Sequence, residues 1–163
     1  MLIERTAVRL VVLDADHNVL LLHTRDLSSD NFGSAWELPG GGVEPDETFE
    51  AAARCELREE TGLELEEAAV AAPTWRRDVL YTYRGERRLQ HELIAVARLV
   101  ASAPLISTTL RVAHEAEDHF EHRWWSQQEI LESDALFFPR SLPRQLPRLL
   151  QGAEIVEACE EWP

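Results

Sequence analysis

The alternation of apolar and polar positions marks out most of the elements of this chain. From Thr6 to Leu13 the run TAVRLVVL is β-branched and aliphatic, DADHN supplies turn formers, and Val19–Thr24 resumes with VLLLHT. The pair predicts a β-hairpin. Asp26–Ala35 is polar and turn-rich and predicts a loop, followed by a short strand over Trp36–Leu38 that Pro39 and the glycines stop. Next comes a helix with readable ends. Thr48 suits the N-cap, Glu50 puts negative charge in the first turn, and Gly62 suits the left-handed position past the last turn. Phe49, Ala52, Ala53 and Leu57 give that helix a surface for packing on a sheet.

Beyond a linker around Pro73, Asp78–Tyr83 and Arg87–Val100 predict two long strands joined at RGE. Alternation shows in Leu80 and Thr82 and again in Leu89, His91 and Leu93, and the unbroken IAVARLV predicts a more central strand. Ala101–Phe120 carries no consistent period. Arg123–Ser126 predicts a short strand feeding a helix, because Ser126 and Glu129 form a capping box. A last helix runs from about Ser141 to Gln151 and is closed by Gly152; Pro143 fits its first turn, and Pro147 does not. Strands and helices mix without regular alternation, so the expected class is α/β in the broad sense (α+β), an α/β/α sandwich with helices packed on a mixed β-sheet. Residues 1–152 read as a single domain and 153–163 as an acidic, loosely held tail in which Trp162 could dock.

Charge narrows the function classes. With a formal net charge of -14 over 163 residues, the chain lacks the basic face that grips a nucleic acid polymer. A small nucleotide-type substrate remains open to it if metal ions supply the positive charge. The longest apolar run, Leu93–Ile106, is broken by Arg98 and Pro104, so no membrane span is expected, and Glu4, Arg5 and Arg9 interrupt the N-terminus where a signal peptide would lie. Cys55 and Cys159 form neither a disulfide framework nor a metal spacing, which places the chain in a reducing cytoplasm. The apolar group Leu136, Phe137 and Phe138 either closes the core or marks a contact between copies, so a monomer or homodimer is expected.

Chemistry concentrates between Gly41 and Leu63. Glu56, Glu59 and Glu60 stand at i, i+3 and i+4 and project from one helix face. Such crowding is unfavourable unless a cation sits among the carboxylates, and Mg²⁺ prefers oxygen ligands and shares them with substrate phosphates. A glutamate-rich helix is ordinarily a solvated face, here with Arg54 and Arg58 as ion-pair partners. The preceding glycines, Glu47 and Gly62 at fixed offsets favour the metal reading.

That stretch resembles the signature box of the Nudix hydrolase superfamily: G, five residues, E, seven residues, then REUxEExGU, where U is aliphatic. Gly41, Glu47, Glu56, Leu57, Glu59, Glu60, Gly62 and Leu63 match, and Cys55 stands where the family has arginine. The resemblance implies hydrolysis of a pyrophosphate bond in a nucleoside diphosphate derivative by water attack on phosphorus, with Mg²⁺ or Mn²⁺ as cofactor. It implies Glu56, Glu59 and Glu60 as metal ligands, joined by the Gly40 carbonyl, with Gly40, Gly41 and Gly42 forming the loop and Glu47 supporting it. The catalytic base is one of the box glutamates, Glu59 or Glu56, or an acidic residue before Trp124. Glu115, Glu117, Asp118 and Glu121 qualify there, with Glu115 first.

Cys55 lies four residues before Glu59, where an arginine would pair with that carboxylate. A thiol makes no such ion pair, so either Arg54 or Arg58 reaches round, or the site is looser. The alternative is a catalytically weakened or inactive nucleotide-binding domain. Substrate contacts are expected from Arg25, Trp36 and Tyr81, with Trp75, Tyr83 and Arg87 as further candidates, although core packing is the commoner role for each aromatic. His91, His114, His119 and His122 lack a zinc-ligand spacing and read as solvated or hydrogen-bonded.

Overall fold

The sheet is built around β1 (Leu2–Leu13), in which every residue from Ala7 to Leu13 is buried. Side chains alternate across a strand, so Val8, Leu10 and Val12 join one core with Ala52, Ala53 and Leu57 of α1 (Phe49–Thr61), while Val11 and Leu13 join a second core on the opposite face. A strand buried on both faces needs neighbours on both edges. The computed structural model, which describes residues 1–25, 33–112 and 118–163 except for the Phe120 side chain, supplies them.

β6 (Glu86–Arg98) runs parallel to β1 in unbroken register from Leu2↔Arg87 to Leu13↔Arg98. β5 (Trp75–Tyr83) pairs antiparallel with β6 through a tight turn at Arg84 and Gly85, both at positive φ. On the other side, β2 (Val19–Arg25) leads to β3 (Ser34–Glu37) and β8 (Phe137–Phe138), and β7 (His119–Trp125) also pairs with β2. The mixed sheet carries α1 on one face and α2 (Gln127–Glu132) with α3 (Leu142–Leu150) on the other, where Ile130, Leu142, Leu146 and Leu149 enter the second core. This is the expected sandwich. No helix among the described residues is long and apolar enough to cross a membrane.

Several local expectations change. The β1–β2 hairpin holds only at its mouth, Leu13↔Val19, because β1 gives its length to β6 and β2 gives its own to β3 and β7. Residues 26–32 of the expected loop lie outside the described residues, and Ser34 and Ala35 begin β3, paired with Arg25 and Thr24. The glycines do not merely stop a strand: Gly40–Gly42 form β4, antiparallel to Ala7–Arg9. The Ser126–Glu129 capping box is present. Trp124 and Trp125 both pack, on opposite faces of the sheet, and neither is left to a groove.

The expectation of a loosely held tail is overturned. β9 (Ile155–Val156) and β10 (Glu160–Glu161) both pair parallel with β5, and Trp162 is buried against Phe138. Arg87 fastens the end of the chain, donating from Nη1 to the Trp162 carbonyl at 2.8 Å and from Nη2 to Glu161 at 2.7 Å. Acidic residues that looked solvated are therefore partners of sheet arginines. Removing a buried tryptophan side chain typically costs about 3–5 kcal/mol. Trp162→Ala is expected to lower unfolding stability by that amount in a urea titration, and a loss near zero would show that the tail does not contribute to the fold.

Candidate active site

The acidic face of α1 is aimed by what lies behind it. Ala52, Ala53 and Leu57 seat the helix on the sheet, the Thr48 side chain accepts a hydrogen bond from the Ala51 amide at 3.1 Å, and Gly62 closes the last turn at φ 72°. Glu56, Glu59 and Glu60 consequently line one cleft of about 340 Å³, together with β4, the side chains of Arg5, Arg9, Arg25 and Glu37, and the tip of the β5–β6 hairpin. Close backbone approach demands glycine at position 40, where a Cβ would run into the Val8 carbonyl oxygen, and at position 41 a side chain would displace the Glu56 carboxylate.

Glu60 is buried, and its Oε1 accepts the Gly40 amide at 2.7 Å. Its Oε2 lies 3.3 Å from His119 Nδ1, while His119 Nε2 lies 3.4 Å from Glu37 Oε1. Ligand atoms of Glu37, Glu60 and His119 all fall within 4.8 Å of one another. Beneath them Arg9 donates from Nη1 to the Leu38 carbonyl at 3.1 Å and from Nε to Glu92 at 3.2 Å, and Glu92 in turn accepts from Arg77 at 2.8 Å. Burial alone would lower the Arg9 pKa, but the carboxylates of Glu37, Glu92 and Glu60 outweigh it and raise it. Burial pushes the Glu37 carboxyl up, against the pull of Arg9, and Glu92 and Asp118 add to the rise.

The expected residues are distributed as follows. Gly40, Gly41, Gly42, Arg25 and Tyr81 line the cleft beside the three glutamates. Glu47 accepts the Glu44 amide at 2.9 Å and so braces the turn leading to α1, while Glu44 lines the cleft. Trp36 does not face it: the ring stacks on His23 at 4.3 Å and meets Trp125 edge-on at 5.2 Å, so packing takes the place of the expected substrate contact. Trp75 is fully buried in the core. Glu115 and Glu117 lie outside the described residues. Asp118 is buried at the cleft wall, where it accepts a hydrogen bond from the Tyr83 hydroxyl. Desolvation and the Asp118 carboxylate push the Tyr83 phenol up to about 12.

Neither candidate arginine compensates for Cys55. Arg54 donates to the Leu65 carbonyl at 2.8 Å and Arg58 pairs with Glu64 at 3.5 Å. The Cys55 thiol itself reaches Glu59 Oε1 at 3.4 Å, so the missing ion pair is replaced by a weak hydrogen bond to the same carboxylate. Loss of hydration, the Glu59 carboxylate that accepts this bond, and the negative charge of Glu56 and Glu47 push the thiol up to about 11.

Sequence reasoning missed His119, Glu37, Arg9, Glu92 and Gln90. Arg9 within VRLVVL and Glu92 within LQHELIAV did carry a signal, since a charge inside a strand buried on both faces must be paired. His119 carried none; of the two expected roles, solvated or hydrogen-bonded, the structure gives it polar partners, with its side chain 10% exposed.

Comparison with known proteins gives the family. The NUDIX domain family model matches residues 3–146. An RNA pyrophosphohydrolase from Halorhodospira halophila is 33% identical over 126 residues, covering 72% of this chain and 67% of that protein. The nucleoside triphosphatase NudI of an Enterobacter species is 50% identical over 48 residues, 29% of this chain and 34% of its own. Among solved structures, a MutT protein from Methanosarcina mazei superposes with a TM-score of 0.63 at 22% identity, over 90% of this chain and 94% of that one, which is a likeness of fold. With the family model spanning nearly the whole chain, the protein belongs to the Nudix family of hydrolases, which act on phosphoanhydride bonds.

Proposed function

We propose that the chain hydrolyses a pyrophosphate bond in a small nucleotide derivative by water attack on phosphorus, with Mg²⁺, or Mn²⁺ in its place, as cofactor. The observation that carries this reading is the convergence of Glu56, Glu59 and Glu60 on one cleft against a glycine strand whose backbone comes close to the Glu56 carboxylate. The donor set fits the metal: three carboxylates on one rigid helix, all oxygen ligands, with backbone at close approach. Glu56, Glu59 and Glu60 would hold it, and the Gly40 carbonyl lies on the same strand. A divalent ion there supplies positive charge and polarises a phosphoryl oxygen.

The chain's own residues do the rest. Glu60, held by the Gly40 amide and flanked by His119, fixes the position of one ligand, and Glu47 fixes the turn that delivers α1. Glu59, Glu56 and Asp118 are base candidates inside the described cleft, and Glu115, the first choice among the acidic residues before Trp124, lies outside the described residues. The retained glutamates and the Cys55–Glu59 contact favour catalysis over a decayed, binding-only domain. The net charge of -14 favours a small substrate over the RNA named for the bacterial relatives. Two free cysteines, Cys55 and Cys159, suit a monomer or homodimer in the cytoplasm.

A screen of nucleoside diphosphate sugars, dinucleoside polyphosphates, ordinary and oxidised nucleoside triphosphates and 5′-triphosphorylated RNA, with and without Mg²⁺, tests the reading. Metal-dependent release of phosphate or pyrophosphate from a small nucleotide is expected; no release from any substrate, with nucleotide binding intact, would falsify it. Glu59→Gln should cut the rate by about 100-fold at an unchanged melting temperature, and Glu60→Gln should cut it by as much with some loss of stability, because Glu60 is buried; an unchanged rate removes these residues from the site. Because an exposed i,i+4 ion pair is worth only about 0.2–0.5 kcal/mol, Cys55→Arg should raise the rate by no more than about twofold. A much larger gain would identify Cys55 as the limiting defect. The thiol should also be a poor nucleophile in the metal-free protein: in a Cys159→Ser background with chelator present, alkylation of Cys55 by iodoacetamide should climb toward pH 11, where the thiol ionises. Half-maximal labelling near pH 8.5, the range of an ordinary thiol, would contradict the described environment.

A further inference from the structure

The cleft is chemically two-sided. The α1 carboxylates line it, and so does Arg5 next to the last glycine of β4, its Nη1 3.3 Å from where a Cβ on Gly42 would stand. Arg5 faces Gln90 across the β1–β6 ladder, and its Nε donates to Gln90 Oε1 at 2.6 Å. Gln90 is fully buried, and its amide can sit only one way round: Oε1 must face the Arg5 guanidinium, which only donates, and Nε2 must face Glu92, which only accepts, at 2.6 Å. The Tyr81 hydroxyl donates to the same Oε1 at 3.1 Å. Arg5 is therefore gripped at Nε while Nη1 and Nη2 have no acceptor among the described residues. In a chain with 30 acidic side chains against 16 basic ones, a half-buried guanidinium with both terminal nitrogens unmatched, inside a cleft lined by carboxylates, is an open anion site.

We propose that Arg5, oriented by Gln90, binds a phosphoryl group beyond the pyrophosphate held over α1, and so selects substrates carrying a chain of three or more phosphates over nucleoside diphosphate sugars. A planar guanidinium fixed at Nε offers two parallel N–H donors that match two phosphate oxygens. Phosphate over Glu56, Glu59 and Glu60 requires a metal to offset their charge; at Arg5 the protein supplies the cation itself. A neutral sugar in the same place would leave the guanidinium's charge unmatched. The proposal rests on the hydrolase reading above only for where the pyrophosphate lies.

Isothermal titration in excess Mg²⁺ with inorganic tripolyphosphate and with pyrophosphate tests it on the wild-type chain, Arg5→Gln and Arg5→Lys. Wild type should bind tripolyphosphate more tightly than pyrophosphate. Arg5→Gln should weaken tripolyphosphate by at least about tenfold, the loss expected from even one of the two hydrogen bonds to a charged group, and leave pyrophosphate unchanged, while Arg5→Lys recovers part of the loss because charge returns without the fork. Equal losses for both probes, no loss for tripolyphosphate, or no preference in wild type would overturn the proposal. Should Arg5→Gln fail to fold, Arg5→Lys, which keeps the charge, decides it: full wild-type discrimination refutes the fork, and reduced discrimination upholds it. The two readings fail separately. Arg5-dependent tripolyphosphate binding without any nucleotide hydrolysis sinks the hydrolase reading alone, and nucleotide hydrolysis with tripolyphosphate binding indifferent to Arg5 sinks this one alone.

Discussion

Arg9 is the constraint on which the rest of the structure depends. Its guanidinium is buried in the strand at the centre of the sheet, among Glu92, Glu37 and the Leu38 carbonyl. Stranding one member of such a buried pair generally costs about 3–5 kcal/mol, so strand register, the position of Glu37 and the entry to the glycine strand are fixed together. From Arg9 a chain of polar contacts runs outward both ways. Glu92 passes it to Arg77, and Arg77 to Glu160 of the C-terminal strand at 2.7 Å. In the other direction Glu37 passes it to His119 and His119 to Glu60. The last strand of the chain and the acidic helix are thus opposite ends of one buried ladder.

The ladder explains how a protein of net charge -14 can build a cleft for an anion. On the sheet side Glu92 is paired with both Arg9 and Arg77, and Glu37 lies 3.9 Å from Arg9 Nη1, so arginines offset these carboxylates. The carboxylates of α1 remain, and they are the ones a divalent ion can use. The Arg9 and Arg77 guanidiniums lie 5.5 and 5.1 Å from the Phe138 ring, and Trp162 packs against the same ring. The tail therefore bears on the cleft through Phe138, which lines it.

The most legible part of the site was α1. Thr48, Gly62 and the 56, 59, 60 spacing are short-range signals, since caps and i, i+3, i+4 geometry follow from the helix alone. The substrate side was far less legible. Trp36 looked like a ligand platform and is a packing residue; Arg25 and Tyr81 do line the cleft; Arg5 looked only like an interruption in an apolar N-terminus. An aromatic or arginine on a strand gives no local sign of which face will be solvent, wall or core until its neighbours are placed.

The sequence by itself determined the helix that carries the carboxylates, the glycine approach to it, the mixed class of the fold and the family, because each depends on spacings within a few dozen residues. Only the tertiary structure decided which charges meet. Arg9 and Glu92 lie 83 residues apart, and Arg5 and Gln90 lie 85 apart. Both pairs exist because β1 lies parallel to β6 in a single register, and a one-residue slip would turn every one of these side chains to the opposite face. Parallel pairing across most of the chain leaves no local trace, so the burial of the tail, the enclosure of His119 and the open fork of Arg5 came into view only once the sheet was assembled.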